Sequence, residues 1–337
     1  MKKENSLRQH MTVKTICSFL VAALILLTFS NCSKDSADPE DDIPLINDPF
    51  TEGTIEMGMY SHGLDLGYYI EHIDFSRHDI QEQLATLAQS AEGKALPDLI
   101  NELGQRNPFL AFTLVLNMNV ATYYIKDHIV LGKAKGFGWE MENLHDRVND
   151  LGKVVLRTLV TTDQIAEEDK EIYASYTPSE DLEPGYFGYL DHSIFDRETD
   201  TKQENILGYA CQKAIYTLKP EHRPVLGNPD DDLLFPSATL YKLVVYTSPQ
   251  FDETINFTHP FYLPENDGIL KLEIYYEESD NPTLVMQPKT ISPRAIASTE
   301  LQVHQGEPVY NIYDLEFGQK TWPIMFGGWG VLDEETP

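Results

Sequence analysis

Cysteine and basic residues are both scarce in this chain. Only 3 of its 337 residues are Cys, and two of them, Cys17 and Cys32, lie close to its start. Three cysteines cannot form a disulfide framework, so a folded body must be stabilised by its apolar core. Lys and Arg number 25 against 54 Asp and Glu, a formal net charge of −29. Because phosphate binding depends on basic side chains, this charge excludes nucleic acid as a partner and disfavours anionic lipid headgroups.

Long hydrophobic runs are also missing, with one exception near the start. Residues 16–29 are mainly apolar and follow Lys2, Lys3, Arg8 and Lys14. This run is too short to span a bilayer comfortably but has the length of a signal-peptide core, so residues 1–31 are predicted to be a signal peptide that is removed. No other segment approaches the roughly 18 consecutive apolar residues that a membrane helix needs.

The run ends in Leu27-Thr28-Phe29-Ser30-Asn31-Cys32, which resembles a lipoprotein signal. The resemblance implies that Cys32 is diacylated and becomes the first residue of the mature chain, although Phe29 and Asn31 depart from the usual pattern. Ordinary signal-peptidase cleavage after Ser30 is the alternative. Either way, the protein is predicted to leave the cytoplasm.

Residues 33–50 are acidic and contain proline, which predicts an unstructured tether. They resemble the tether that follows the lipidated Cys in surface-exported lipoproteins of Bacteroides-type bacteria. That resemblance implies an outer-membrane protein exposed at the cell surface, with its acyl chains as the only membrane attachment. The alternative is a solvated linker of an ordinary secreted protein.

The body of the chain, residues 51–310, is predicted to fold as one domain, since its aromatic content of 11% argues against disorder. Residues 54–60 alternate and predict a strand, which residues 68–73 extend or pair with. Apolar residues at helical spacing then predict helices over 80–93 and 97–104.

The remaining body is rich in β-branched and aromatic runs between polar turns, which predicts antiparallel strands. The acidic stretch 161–173 favours a helix, and 174–203 is interpreted as a long connection. No repeat of fixed period is present, which argues against a propeller or solenoid. The element order predicts an α+β fold, with helices packed on the concave face of a curved antiparallel sheet. The predicted strands cover 109–118, 120–125, 129–135, 139–144, 154–160, 210–218, 238–247, 269–277, 283–291 and 296–304.

Three segments resemble a family of uncharacterised secreted proteins of the GLPGLI type. They are Ile206-Leu207-Gly208-Tyr209-Ala210-Cys211-Gln212-Lys213-Ala214, the strand Val245-Tyr246-Thr247 and the hairpin sequence at 122–130. Those proteins look similar in layout to the periplasmic lipoprotein carrier LolA, an incomplete barrel with helices on its concave face. The resemblance implies an apolar cavity for an acyl chain or similar ligand and implies no catalytic residue. The side chains expected to cover that cavity are Ile80, Leu84, Leu87, Leu99, Ile100 and Leu103.

Motifs for chemistry are few. No G-x-S-x-G or P-loop motif occurs, so we expect a non-catalytic protein without a cofactor. Cys211 lies inside a strand pattern and is interpreted as a core residue, with a bend or bulge at Gly208 just before it. The triplet at 230–232 lacks the spacing of a calcium loop and is interpreted as solvated. A metal site is conceivable but not expected where His62, His72 and His78 lie among Asp65, Glu71, Asp74 and Asp79, because no recognised ligand spacing appears there.

Two functions follow from these patterns. The first is a lipid-anchored envelope protein that binds an apolar small ligand or a lipoprotein acyl chain beneath the helices. The second is a surface interaction or glycan-handling accessory protein that uses the barrel as a scaffold. The C-terminal segment 311–337 favours the second, because Trp322, Phe326 and Trp329 lie in a Gly-rich stretch. Those aromatic residues are equally interpreted as packing the segment onto the domain.

Overall fold

The fold was analysed in a computed structural model, which describes residues 44–160, 162, 165–181, 191–223, 239–259, 261 and 263–330. Cys32 and the triplet at 230–232 lie outside these ranges. Thirteen strands in the described part belong to one sheet. They are β1 (Glu52–Ser61), β2 (Leu64–Asp65), β3 (Asn119–Lys126), β4 (Ile129–Gly136), β5 (Trp139–Asp146), β6 (Leu151–Thr158), β7 (Glu171–Tyr176), β8 (Phe195–Ile206), β9 (Tyr209–Leu218), β10 (Lys242–Asp252), β11 (Asp267–Tyr275), β12 (Leu284–Pro293) and β13 (Val309–Asn311).

The α-helices of the described part lie at three places in the chain. Four follow β2, a short one follows β7, and a long one ends the described chain. They are α1 (Tyr68–His72), α2 (Ile80–Leu87), α3 (Ala91–Arg106), α4 (Pro108–Leu116), α5 (Pro178–Asp181) and α6 (Leu315–Gly330). The predicted α+β class is therefore confirmed.

The sheet is large, curved and unclosed. Its strand order is β13-β7-β6-β5-β4-β3-β1-β12-β11-β10-β9-β8, with β2 paired to β1 off this path. Neighbouring strands are antiparallel except β7 and β13, which are parallel. Short hairpins account for much of this order. Asp127 and Leu207, with φ of 52° and 50°, each lie in a two-residue turn, between β3 and β4 and between β8 and β9.

The main apolar core joins helices α1–α4 to the sheet. Ile70, Leu103 and Leu110 from the helices are fully buried in the same cluster as Val245 and Leu272 from the strands. Burial of this kind is the dominant favourable contribution to folding. A second cluster packs α6 against β5, β6 and β7.

Several predicted elements were wrong around the helices. Residues 68–73 form α1 rather than a strand, and 109–118 form most of α4. Helices α2 and α3 are separated by a break that includes Ser90. The Ser90 side chain caps α3 by accepting a hydrogen bond from the Gly93 amide at 2.8 Å. Pro97 lies inside α3 and does not begin it.

Other predictions failed farther along the chain. Residues 161–173 contain only a short 3₁₀ turn before β7 in their described part, and the connection predicted over 174–203 holds most of β8. Residues 296–304 form a 3₁₀ turn and irregular backbone in place of a strand. Gly208 lies in the β8–β9 hairpin turn with φ of 91°, not in a bulge. The other strands predicted for the body are confirmed, with small shifts of their ends.

Candidate functional site

Helix α6 has one face in the core and one face in solvent. Phe317 and Ile324 are 8% and 0% exposed and lie in the second core cluster. Leu315 and Trp322, on the opposite side, are 77% and 58% exposed. The segment therefore packs onto the domain, and at the same time it presents large apolar side chains to solvent.

Three stacked aromatic rings connect α6 to α4. The Trp322 and Phe326 ring centroids lie 5.2 Å apart with an interplanar angle of 16°. The Phe326 and Phe112 centroids lie 6.1 Å apart with an angle of 2°. Phe112 is 43% exposed, so both ends of the stack are open to solvent. We call Trp322, Phe326 and Phe112 the aromatic column.

A surface cavity of about 550 Å³ lies on the same helix. The helix contributes Gln319 and Pro323, each three residues before a member of the aromatic column. Since residues three apart are neighbours on a helix surface, the cavity and the column adjoin. The full lining is Ile165, Ala166, Asp169, Leu315, Glu316, Gln319, Lys320 and Pro323.

The cavity wall is rich in hydrogen-bonding groups. The Lys320 Nζ atom lies 2.5 Å from Asp169 Oδ1 and 3.8 Å from Glu316 Oε1, and the hydrogen bond to Asp169 raises the pKa of Lys320. Pro323 has no N–H, so the carbonyl oxygen of Gln319 receives no hydrogen bond from that position. The carboxylates and the ammonium of this wall lie beside the exposed aromatic rings.

The helix residues predicted to cover a ligand cavity contact the main core instead. Ile80, Leu99 and Leu103 are 1%, 8% and 0% exposed. Leu84, Leu87 and Ile100 are half-buried and pack against the same cluster. None of the six lines the cavity on α6, nor a second cavity that crosses β3 to β6.

The histidines considered for a metal site are all exposed. His62 lies in the β1–β2 turn, 3.1 Å from Ser61 Oγ, and His72 Nδ1 lies 2.7 Å from the Tyr68 carbonyl. Within the described ranges, no three His, Cys, Asp or Glu side chains are grouped so that they could hold a metal ion. Cys211 is fully buried in β9, and burial raises the pKa of its thiol to about 12.

Phe112 was missed because its segment was interpreted as a strand. The nine residues of α4, Pro-Phe-Leu-Ala-Phe-Thr-Leu-Val-Leu, are nearly all apolar and have little periodicity. The signal that identifies the helix lies just before them. Asn107 accepts a hydrogen bond from the Phe109 amide at 3.0 Å, and Pro108 occupies the first helical position.

Comparisons with known proteins identify little. No family model matches the chain, and no protein with a curated description matches it. Two solved structures are similar, "Structure of PNGF-II in P21 space group" and "Structure of PNGF-II in C2 space group". For the first, identity is 13% and the TM-score 0.32, with 61% of this chain and 30% of that chain covered. For the second, identity is 11% and the TM-score 0.28, with 60% of this chain and 32% of that chain covered. The chain thus spans about a third of the length of these structures.

None of the helices in the described residues is both long and apolar enough to cross a bilayer.

Proposed function

We propose that this protein is a lipid-anchored protein of the outer membrane that binds glycans at the cell surface. The proposal rests on one observation, the exposure of the aromatic column beside a polar cavity. Trp322 remains 58% exposed although the same helix buries Phe317 and Ile324. An exposed apolar patch with a polar rim is typical of an interaction site.

The chemistry of the two adjoining surfaces suits a sugar. A pyranose ring has an apolar face of C–H groups that packs on an aromatic ring, and it has hydroxyls around its edge. The aromatic column supplies the rings, and the carboxylates of Asp169 and Glu316 supply acceptors for hydroxyl groups. Pockets that combine apolar walls with a few polar groups are the usual form of small-molecule sites.

The sheet acts as a scaffold in this proposal. We propose that it is a LolA-like half-barrel of a GLPGLI-type protein, since it is unclosed and mainly antiparallel and shares its core with α1–α4. The acyl anchor at Cys32 and the acidic tether then hold the domain away from the membrane. Because the anchor and the tether lie apart from the folded domain, α4 and α6 remain accessible to a ligand outside the cell.

Binding of an apolar ligand beneath the helices is the second candidate. Leu84, Leu87 and Ile100 favour it, because these three apolar side chains are only partly buried at the margin of the core. The close packing of Ile80, Leu99 and Leu103 favours the glycan proposal instead. Native mass spectrometry of a Cys32→Ala chain distinguishes the two, since the second candidate requires a co-purified or added fatty acid to stay bound.

The glycan proposal is tested by affinity electrophoresis of the Cys32→Ala chain through gels that contain starch, xylan or mannan. We expect at least one polysaccharide to retard the protein, and we expect Trp322→Ala and Phe112→Ala to remove the retardation. Val148→Ala is the control, because Val148 is 70% exposed and lies in the β5–β6 turn. Migration unchanged by all three polysaccharides, or equal retardation of Trp322→Ala and the unsubstituted chain, would contradict the proposal.

A further inference from the structure

The cavity on α6 carries more negative charge than positive charge. Its wall holds the carboxylates of Asp169 and Glu316 and a single ammonium, that of Lys320. The short 3₁₀ turn that carries Asp169 adds two further glutamates, and only one of them has an ion pair in the described residues, with Lys170 Nζ at 2.6 Å. Four carboxylates and two ammonium groups thus belong to the cavity and its border, in a chain whose formal net charge is −29.

The ammonium of the cavity is bound to one of the two carboxylates and leaves the other available. Lys320 Nζ lies 2.5 Å from Asp169 Oδ1 but 3.8 Å from Glu316 Oε1, which is beyond hydrogen-bond distance. Glu316 Oε1 accepts a hydrogen bond from the Tyr310 hydroxyl at 3.1 Å, and Oε2 has no hydrogen-bond partner in the described residues. The Glu316 side chain is 63% exposed. One carboxylate of the cavity therefore keeps an accessible acceptor for a donor on a ligand.

Trp322 is the member of the aromatic column that lies nearer to Glu316 along α6. Among the described aromatic residues its ring contacts only Phe326, so no ring covers the other face of the indole. Side chains on a helix lean towards the N-terminal turn, which here contains Gln319, a residue of the cavity wall. Leu315, seven residues before Trp322 and on the same side of the helix, also lines the cavity and is 77% exposed. The open ring face and the Glu316 carboxylate thus border one surface.

This surface distinguishes sugars by their charge. A carboxylate or sulfate group on a sugar is repelled by the excess of carboxylates around the cavity. A hydroxyl or an acetamide group is neutral and donates an ordinary hydrogen bond. A protonated amino group donates a charge-assisted hydrogen bond to a carboxylate, which is about twice as strong as a neutral one. A cation is also attracted to the face of an indole ring.

We propose that the glycan site on α6 prefers sugars with a free amino group over N-acetylated and neutral sugars. The sugar ring packs on the open face of Trp322, and its ammonium donates to the Glu316 carboxylate. Glu316 is then the residue that sets the charge preference of the site. This inference rests on the proposed glycan binding and adds the class of sugar that is bound.

The test is isothermal titration of the Cys32→Ala chain with three β-1,4-linked trisaccharides that differ only at carbon 2 of each ring. Cellotriose carries hydroxyls there, triacetylchitotriose carries acetamides and chitotriose carries amino groups. The titration is done at low ionic strength and about pH 6, so that the amino groups are protonated. We expect chitotriose to bind about three- to fivefold more tightly than either neutral trisaccharide, a modest factor because Glu316 is exposed. In about 0.5 M salt this advantage should disappear, because exposed charges are screened.

Variants separate this contact from the general attraction of a cation to an acidic protein. In Glu316→Gln chitotriose should lose its advantage, although the amide oxygen can still accept from Tyr310. Glu198→Gln is the matched control, because it removes an equal charge at an exposed position on β8, and it should keep the advantage. Trp322→Ala should weaken the binding of all three trisaccharides, because each packs a ring on the indole.

Three outcomes would overturn this inference: equal binding of the three trisaccharides, an advantage of chitotriose that persists in Glu316→Gln, or no binding of any of them. The proposed glycan binding is decided separately, by electrophoresis in starch, xylan or mannan. It stands if one of these neutral polysaccharides retards the protein and Trp322→Ala removes the retardation, whatever the preference among the trisaccharides.

Discussion

The hydroxyl of Tyr69 donates a hydrogen bond to the backbone carbonyl of Gly93, which is the carbonyl that Pro97 leaves without its helical donor. Within a helix each carbonyl accepts from the amide four residues later, and proline has no amide hydrogen. Tyr69 is 4% exposed, and burial raises its pKa to about 12, so the hydroxyl keeps its proton near neutral pH. A side chain of α1 thus supplies the bond that α3 lacks.

This arrangement predicts that the effects of Tyr69 and Pro97 on stability are coupled. Tyr69→Phe leaves a buried carbonyl without a donor and should lower the free energy of unfolding by about 1–3 kcal/mol. In a Pro97→Ala background the amide of residue 97 can donate to the Gly93 carbonyl. In that background Tyr69→Phe should therefore lower the free energy of unfolding by clearly less. Urea unfolding of the four chains, followed by circular dichroism, measures this coupling. Equal costs in both backgrounds would show that the Tyr69 hydroxyl does not replace the missing donor.

Local signals in the sequence predict some elements and leave others undecided. Strands β3 and β4 were predictable because Asp127 and His128 separate two runs rich in β-branched and aromatic residues. Helix α4 was not, because a short run that is apolar all round fits a buried strand equally well. Strand β8 was missed because it is a sheet edge with mainly exposed, charged side chains, as edge strands often are.

The candidate site was predictable to a similar extent. Trp322 and Phe326 were identified from the aromatic, Gly-rich segment, but their stacking on Phe112 depends on how α4 and α6 meet in the fold. The row of Glu56, Thr122, Lys133 and Glu142 on the sheet could not be read from spacing, since only the register of β1, β3, β4 and β5 aligns these residues. Contacts between distant strands are a property of topology and not of local pattern.

Acid should destabilise the protein through His145. Its ring stacks on Phe257 with centroids 4.1 Å apart, its Nδ1 has no hydrogen-bond partner in the described residues, and burial lowers its pKa from 6.5 to about 4. The unfolded chain therefore binds a proton at a higher pH than the folded chain does. The contribution of neutral His145 to the free energy of unfolding therefore has its full value above about pH 6.5. It is lost as the pH falls towards 4, which lowers the free energy of unfolding by up to about 3 kcal/mol.

His145→Phe keeps the stacking and removes the titration, so the free energy of unfolding should vary less between pH 7 and pH 4. Guanidinium unfolding at several pH values measures this dependence. Some pH dependence of the free energy of unfolding should remain in this variant, because burial also lowers the pKa of His259 to about 4. His78→Gln, at an exposed position, should follow the unsubstituted chain. A pH dependence that is the same in His145→Phe would mean that His145 is not responsible for the acid sensitivity.

Membrane attachment should depend on Cys32 alone. Each buried methylene of an acyl chain contributes about 0.8 kcal/mol to membrane binding, so two chains hold a protein stably. Cys32→Ala should therefore move the protein from the membrane fraction to the soluble fraction, as measured by immunoblotting of fractionated cells. Cys17→Ala changes the other cysteine near the start of the sequence and should leave the protein in the membrane fraction. Membrane association that persists in Cys32→Ala would falsify the lipoprotein prediction.

The position of α6 should depend on Gly328, because this helix passes very close to the β4–β5 turn. A Cβ atom at Gly328 would lie 2.4 Å from the Phe137 carbonyl oxygen and 3.0 Å from Gly138 Cα, and both of those atoms belong to backbone that cannot rotate away. Gly328→Ala should therefore lower the free energy of unfolding by about 1–3 kcal/mol or displace the helix.

Gly318→Ala is the matched control in the same helix, since a Cβ there meets nothing within 4 Å. That change should leave stability equal or raise it by up to about 1 kcal/mol, because alanine favours helix more than glycine does. Thermal unfolding and limited proteolysis near α6 compare the two variants, and equal stability of Gly328→Ala and Gly318→Ala would rule out this close contact as the determinant of the helix position.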